Sequence, residues 1–217
     1  MKTDAQLKKD IQDELSWDPE IHATDVGVIV KDGVVTLTGH LASYAEKYAA
    51  ERATERVSGV LALVMEVEVR LPSSSKRNDA DIASAARNAL TWSVVVPDSR
   101  IQLKVEKGWI TLSGEVEWDY QRKAADKAVR DLLGVTGVSN LIKVAPHVST
   151  TDVQKKIQDA LARQAETEAK QLQVIVEGSR VTLRGKVHSW VERQAAQGAA
   201  WAAPGVTNVV NELALAP

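Results

Sequence analysis

Three observations predict an α+β fold made of three tandem αββαβ modules, each a small mixed three-stranded sheet backed by two helices. The stretch Asp32-Gly33-Val34-Val35-Thr36-Leu37-Thr38-Gly39 returns as Lys107-Gly108-Trp109-Ile110-Thr111-Leu112-Ser113-Gly114 and again as Gly178-Ser179-Arg180-Val181-Thr182-Leu183-Arg184-Gly185. Leu15, Leu90 and Leu161 keep the same spacing, as do Gly59-Val60, Gly134-Val135 and Gly205-Val206, so the offset is 75 residues and then 71, with no internal gap. Within each copy the hydrophobic period alternates between that of a helix and that of a strand. Fixed offsets of this length mark a repeated structural unit. The copies span residues 1–71, 77–146 and 149–217, each close to the lower limit for an independent core.

Leu7, Ile11 and Leu15 recur every four residues, which predicts a helix over about 4–15 with Thr3 or Asp4 as its cap. Val26, Val28 and Val30 alternate as in a half-buried strand, Asp32-Gly33 supplies the positive φ angles of a tight turn, and Val35, Leu37 and Leu41 return as the second strand. Ser43-Tyr44-Ala45-Glu46 and Ser189-Trp190-Val191-Glu192 have capping-box spacing, so a second helix of about 15 residues begins just after the hairpin. Gly59, Gly134 and Gly205 end it. The closing strand alternates Leu63, Met65, Val67 and Val69, then Val138, Asn140, Ile142 and Val144, then Val209, Asn211, Leu213 and Leu215. A strand-helix-strand passage is a crossover, so a small mixed sheet backed by two helices is the natural closure. Gly39, Gly114 and Gly185 each end the second strand, where a missing Cβ permits a bend or a close approach of the backbone to a helix or ligand. Alanines at 45, 49 and 53, and at 195 and 199, predict a small-residue helix face against the sheet.

The junction Leu71–Asn78 reads as polar and flexible, whereas Ala145-Pro146-His147-Val148-Ser149 is barely a linker, which predicts closer coupling of the second and third copies. With no cysteine, disulfides, thiolate catalysis and cysteine-ligated metals are excluded. The net charge of -2 is unevenly spread: residues 1–71 carry 8 Lys+Arg against 13 Asp+Glu, residues 72–147 carry 11 against 9 and residues 148–217 carry 8 against 7. No copy has the strongly basic character of a nucleic-acid binder. The charged start Lys2, Asp4, Lys8, Lys9 and Asp10 is unlike a signal peptide and forms part of the first helix, so a cytoplasmic location is expected if Met1 is the true start.

The amphipathic first helix, the Asp32–Gly39 stretch, the alanine-rich second helix and the closing Gly134-Val135-Thr136-Gly137-Val138-Ser139-Asn140 and Gly205-Val206-Thr207-Asn208-Val209-Val210-Asn211 together resemble the BON domain, named for bacterial osmotically inducible and nodulation proteins. The likeness covers nearly the whole chain. It implies the αββαβ fold, non-enzymatic roles, association with phospholipid surfaces and a setting of envelope or osmotic stress. The first copy departs from it with Met65 in place of the terminal Asn, and the third with Ser179 in place of the turn Gly.

No catalytic residues are assigned. His22, His40, His147 and His188 fall at nonequivalent positions without metal-ligand spacing, and no nucleophile-elbow, Walker or dinucleotide motif occurs, so no metal and no cofactor are expected. The chain has six Trp and three Tyr but no Phe. Tyr44, Trp118, Tyr120 and Trp190 cluster at the start of the second helix, divided evenly between packing and a surface role. Trp17 and Trp92 are equivalent across 75 residues, with core packing the favoured reading and interface contact the alternative. Rings with an apolar body and a polar rim suit lipid headgroups or protein partners. With the short basic strip Arg122-Lys123, these residues form the candidate surface for an anionic phospholipid or a protein partner. The rival reading is a sensor of a small ligand or a monovalent cation such as potassium, held by backbone carbonyls between modules.

Overall fold

Thr3 opens the first helix, its hydroxyl accepting the Gln6 N–H (3.2 Å), and α1 runs Asp4–Trp17 with Leu7, Ile11 and Leu15 buried along one face. Burying three such side chains contributes roughly 2 kcal/mol each. Strands β1 (Val26–Lys31) and β2 (Val34–Leu41) form an antiparallel hairpin, and α2 (Tyr44–Arg56) crosses over to β3 (Ala62–Val69), which pairs with β2 in parallel. The second module repeats this order as α3 (Asp79–Thr91), β4 (Ile101–Glu106), β5 (Trp109–Val116) and α4 (Asp119–Arg130), closing with β6 (Gly137–Asn140) and β7 (Lys143–Val144). The third has α5 (Val153–Gln164), β8 (Gln173–Glu177), β9 (Arg180–Val187), α6 (Trp190–Trp201) and β10 (Asn208–Leu215). The computed structural model describes residues 2–145, 153–164 and 172–215; the side chain of Leu161, His147 and the junction 146–149 lie outside the described residues.

The closing strand of the middle module, expected to be continuous, is interrupted. Its register carries straight through, with Leu112 opposite Asn140 and Glu115 opposite Lys143, so no residue is inserted and the break is one of hydrogen bonding opposite Gly114. The hairpin turns show the expected positive φ at Asp32 and Gly33 (51° and 76°) and at Lys107 and Gly108 (53° and 79°). In the third copy only Gly178 adopts it (60°), so the glycine moves one position earlier and Ser179 escapes the left-handed region. The small-residue face of α6 is Ala196, Ala199 and Ala200; Ala195, expected there, is exposed.

One side chain ties each hairpin to its first helix. The Asp4 carboxylate accepts the N–H groups of Asp32 (2.9 Å) and Gly33 (3.2 Å), and Asp79 accepts those of Lys107 (2.8 Å) and Gly108 (2.9 Å). The carboxylate thus sits in the first turn of its helix, where the helix dipole also favours negative charge. Asp79→Ala is expected to destabilise the middle module by about 1–2 kcal/mol, read as a lower denaturation midpoint, because two turn amides lose a charged acceptor.

Contacts between modules follow the same offsets as the sequence. Tyr48 of α2 lies under the guanidinium of Arg130 in α4, 3.4 Å from ring centre to carbon, and Arg122 of α4 lies 4.7 Å over Trp201 of α6. Gln194 of α6 donates to Glu55 of α2 (2.6 Å), and the Trp190 indole N–H donates to the Val60 carbonyl (3.0 Å). Tyr48 and Gln194 are equivalent positions and Arg122 stands one residue before their counterpart Lys123, while Arg130, Trp201 and Glu55 are equivalent, so each second helix meets the C-terminal half of the next and the third returns to the first. The buried residues of the second and third modules form one continuous cluster, while the first keeps its own. Between the first two modules, the junction contains a short 3-10 turn at Ser73–Ser75, and Arg77 donates to the Ser74 and Lys76 carbonyls (2.9 and 2.8 Å).

Candidate functional site

The pinning of α3 to its hairpin turn sends the C-terminal end of that helix to the opposite pole of the module, beside the end of β5 and the start of α4. There the chain turns through Trp92-Ser93-Val94-Val95 before entering β4. Thr91 donates to Asp98 (2.9 Å) and Arg100 pairs with Glu117 (3.1 Å), so the base of this loop is tied to the end of β5 while its tip is free of the core. Trp92 is 86% exposed, Val94 is fully exposed and Val95 nearly half exposed. Tyr120, 56% exposed, stands at the same pole on the first turn of α4. Val94 and Val95 are not legible as surface residues by pattern, because a short Val-Val-Val run reads as strand or core; Pro97 and the 3-10 turn Asp98–Arg100 keep it out of β4.

Trp17 holds the equivalent place on the first module and is 84% exposed. The core-packing reading of Trp17 and Trp92 is therefore corrected. Leu15 and Leu90 complete the buried faces of their helices, and the two rings fall two residues beyond them, on the solvent side of the last turn. Asp18, next to Trp17, is neutralised by Arg56 (2.9 Å), which also pairs with Glu14 and holds the Asp18 carboxyl below its usual range.

The remaining candidates divide. Tyr44 packs into the shared cluster of modules two and three, and its hydroxyl pKa is raised by burial and then by the Asp126 carboxylate. Trp190 is half-buried and spends its indole N–H on Val60. Both belong to seams between modules, because Tyr44, Asp119 and Trp190 share one position at the start of the second helix. Trp118 is half-buried at the cap of α4 and makes no side-chain cap bond; Gln121 instead accepts the N–H groups of Glu117 and Trp118 (3.0 and 3.1 Å). Arg122 and Lys123 both pair with the buried Asp119, two cations for one carboxylate, which leaves the start of α4 with surplus positive charge beside Tyr120. Glu55, at the seam with α6, has its pKa raised by burial and then by the charge of Glu51.

Where α2 approaches α4, a groove of about 560 Å³ carries Arg52, Arg56, Lys127 and Arg130 against Asp18, Glu20, Glu46 and Asp131. The signs balance, so it selects no ion of one charge. Among the described residues no group of three His, Asp or Glu could hold a metal, and no helix is long and apolar enough to cross a membrane. Gly39, Gly114 and Gly185 have φ of 109°, 125° and 137°. At Gly39 and Gly114 the close neighbour is the chain entering the first strand, and not a helix or ligand: an added Cβ would stand 2.0 Å from the Asp25 carbonyl oxygen at Gly39 and 2.1 Å from that of Arg100 at Gly114.

Comparison with known proteins agrees with this repeated topology. Osmotically-inducible protein Y of Escherichia coli (strain K12) is 27% identical over 127 residues, which is 57% of this chain and 63% of that protein, so the chain matches less than two thirds of that relative. Two solved structures of CdsD, a structural protein of the type III secretion system of Chlamydia trachomatis, align over 96% and 100% of this chain at 15% and 16% identity, covering 91% and 100% of those chains. Their TM-score of 0.25 is too low to bear on the fold. The BON domain matches residues 3–70, 78–146 and 149–217 in turn, and with three matches spanning nearly its whole length, this chain belongs to the BON domain family.

Proposed function

We propose that this chain is a noncatalytic, stress-associated binding protein that docks on anionic phospholipid through the pole of its middle module. The observation that carries the reading is the exposed loop tip Trp92-Ser93-Val94-Val95, with Tyr120 and the exposed cation of Lys123 on the first turns of α4 at the same pole. Solvent-exposed aliphatic and indole side chains on a tied loop are costly in water and suit the headgroup boundary, where ring and aliphatic groups bury while cations meet lipid phosphate. Membership of the BON domain family and likeness to an osmotically inducible protein support the stress setting.

Flotation with vesicles of phosphatidylcholine and phosphatidylglycerol tests it. The protein is expected to float at low salt and less so at high salt, since the cationic share of the contact is screened. Trp92→Ala combined with Val94→Ser is expected to weaken partitioning about tenfold or more, because each lost apolar group removes on the order of 1 kcal/mol of burial. The denaturation midpoint should stay unchanged, neither side chain being in the core. Flotation unaffected by the double substitution sinks the reading.

A further inference from the structure

We infer that the three modules close into a head-to-tail ring that presents Trp17 and Trp92 together to one flat membrane surface. The membrane half of this inference rests on the docking reading above; the ring half does not.

The ring follows from the seams. Tyr48 on Arg130, Arg122 on Trp201 and Gln194 on Glu55 join module one to two, two to three and three to one, each time from the N-terminal half of one second helix to the C-terminal end of the next. Tyr44 in the second module's cluster and Trp190 on Val60 are likewise equivalent residues reaching the next module around. Contacts that repeat in cyclic order generate a rotation that closes, as in a cyclic trimer, here within one chain. Equivalent positions of such a ring lie at one level along its axis. Trp17 and Trp92 are equivalent and both more than four-fifths exposed, so a flat ligand that meets one is placed to meet the other. A bilayer is such a ligand, and a second contact made within one molecule multiplies the first through effective concentration.

The chain has no cysteine, which allows clean labelling at Gln12, Arg87 and Gln158, three equivalent exposed helix positions. Spin labels on the pairwise double variants Gln12→Cys with Arg87→Cys, Arg87→Cys with Gln158→Cys, and Gln12→Cys with Gln158→Cys are expected to give three similar, narrow distances. A distance between the first and third modules well beyond the other two overturns the ring. Tyr48→Lys with Gln194→Glu then sets like charges against Arg130 and Glu55 and weakens the hold on module one at both seams without touching a buried aliphatic residue. This variant is expected to broaden both distances from Gln12 and to weaken binding to the same vesicles about tenfold, with Trp17 and Trp92 intact. Broadened distances with unchanged binding overturn the shared platform. Failure of the unmodified protein to float overturns the membrane half, and the label distances still decide the ring.

Discussion

Gly114→Val is expected to lower the stability of the middle module by about 3–4 kcal/mol, the upper end of single-residue effects. Two costs add. At φ of 125° a β-branched side chain is strained whatever the space around it. The space is also taken, since the new Cβ would stand 2.1 Å from the Arg100 carbonyl oxygen, an atom of the backbone facing β5 across the Ile101–Gly114 pair. Relief requires the entry into β4 to move away, which disturbs the ladder and the Arg100 to Glu117 pair that ties the exposed loop. Chemical denaturation reads the loss as a reduced midpoint, and an unchanged midpoint would show that the two backbones can separate at little cost. Gly39→Val should behave alike in the first module, where the same clash is with Asp25 at 2.0 Å.

That glycine was visible in the sequence as a recurring residue, and its partner was not. Repetition displays what every copy must share: turn glycines, helix caps, the aliphatic residues of one face. Topology followed from these, because a hairpin, a crossover helix and a closing strand leave few ways to build one sheet. The seams were hidden for the opposite reason. Two seams set an arginine over a ring with the roles of the two helices exchanged, Tyr48 under Arg130 and Arg122 over Trp201, and the third joins Gln194 to Glu55, so no residue type recurs at one position to announce them. Trp17 and Trp92 misled in another way. Their position is shared, yet whether a ring two residues past the last buried leucine turns inward depends on where the helix stops, and helix ends are what periodicity locates least well. Trp190 and Tyr44 carried the same residue-level signal as Tyr120, and only the packing of one module on the next separates seam from surface.

Glu46→Ala is the second large effect, expected at about 2–3 kcal/mol, and its comparison with Glu46→Gln tests how the second helix is anchored. Glu46 is a carboxylate only 5% exposed. One oxygen accepts the Ala42 N–H (2.9 Å), completing the capping box whose other half is the Ser43 hydroxyl accepting the Glu46 N–H (3.1 Å). Its second oxygen accepts the His22 N–H (2.6 Å) and lies 2.9 Å from His22 Nδ1, so the same side chain fixes the loop between α1 and β1. Truncation to alanine leaves the Ala42 and His22 amides without their acceptor in a part-buried place, and an unmet donor costs more than a typical hydrogen bond contributes. The other modules indicate what glutamine can recover. Gln121 accepts from Glu117 and Trp118, and Glu192 accepts from His188 (2.8 Å), so an amide oxygen suffices for the cap itself. With one oxygen instead of two, glutamine at 46 holds either Ala42 or His22. Glu46→Gln is therefore expected to recover about half the loss, measured by denaturation midpoint. Full recovery would mean that the contact with His22 adds nothing, and no recovery would mean that the carboxylate charge, and not the cap geometry, anchors α2.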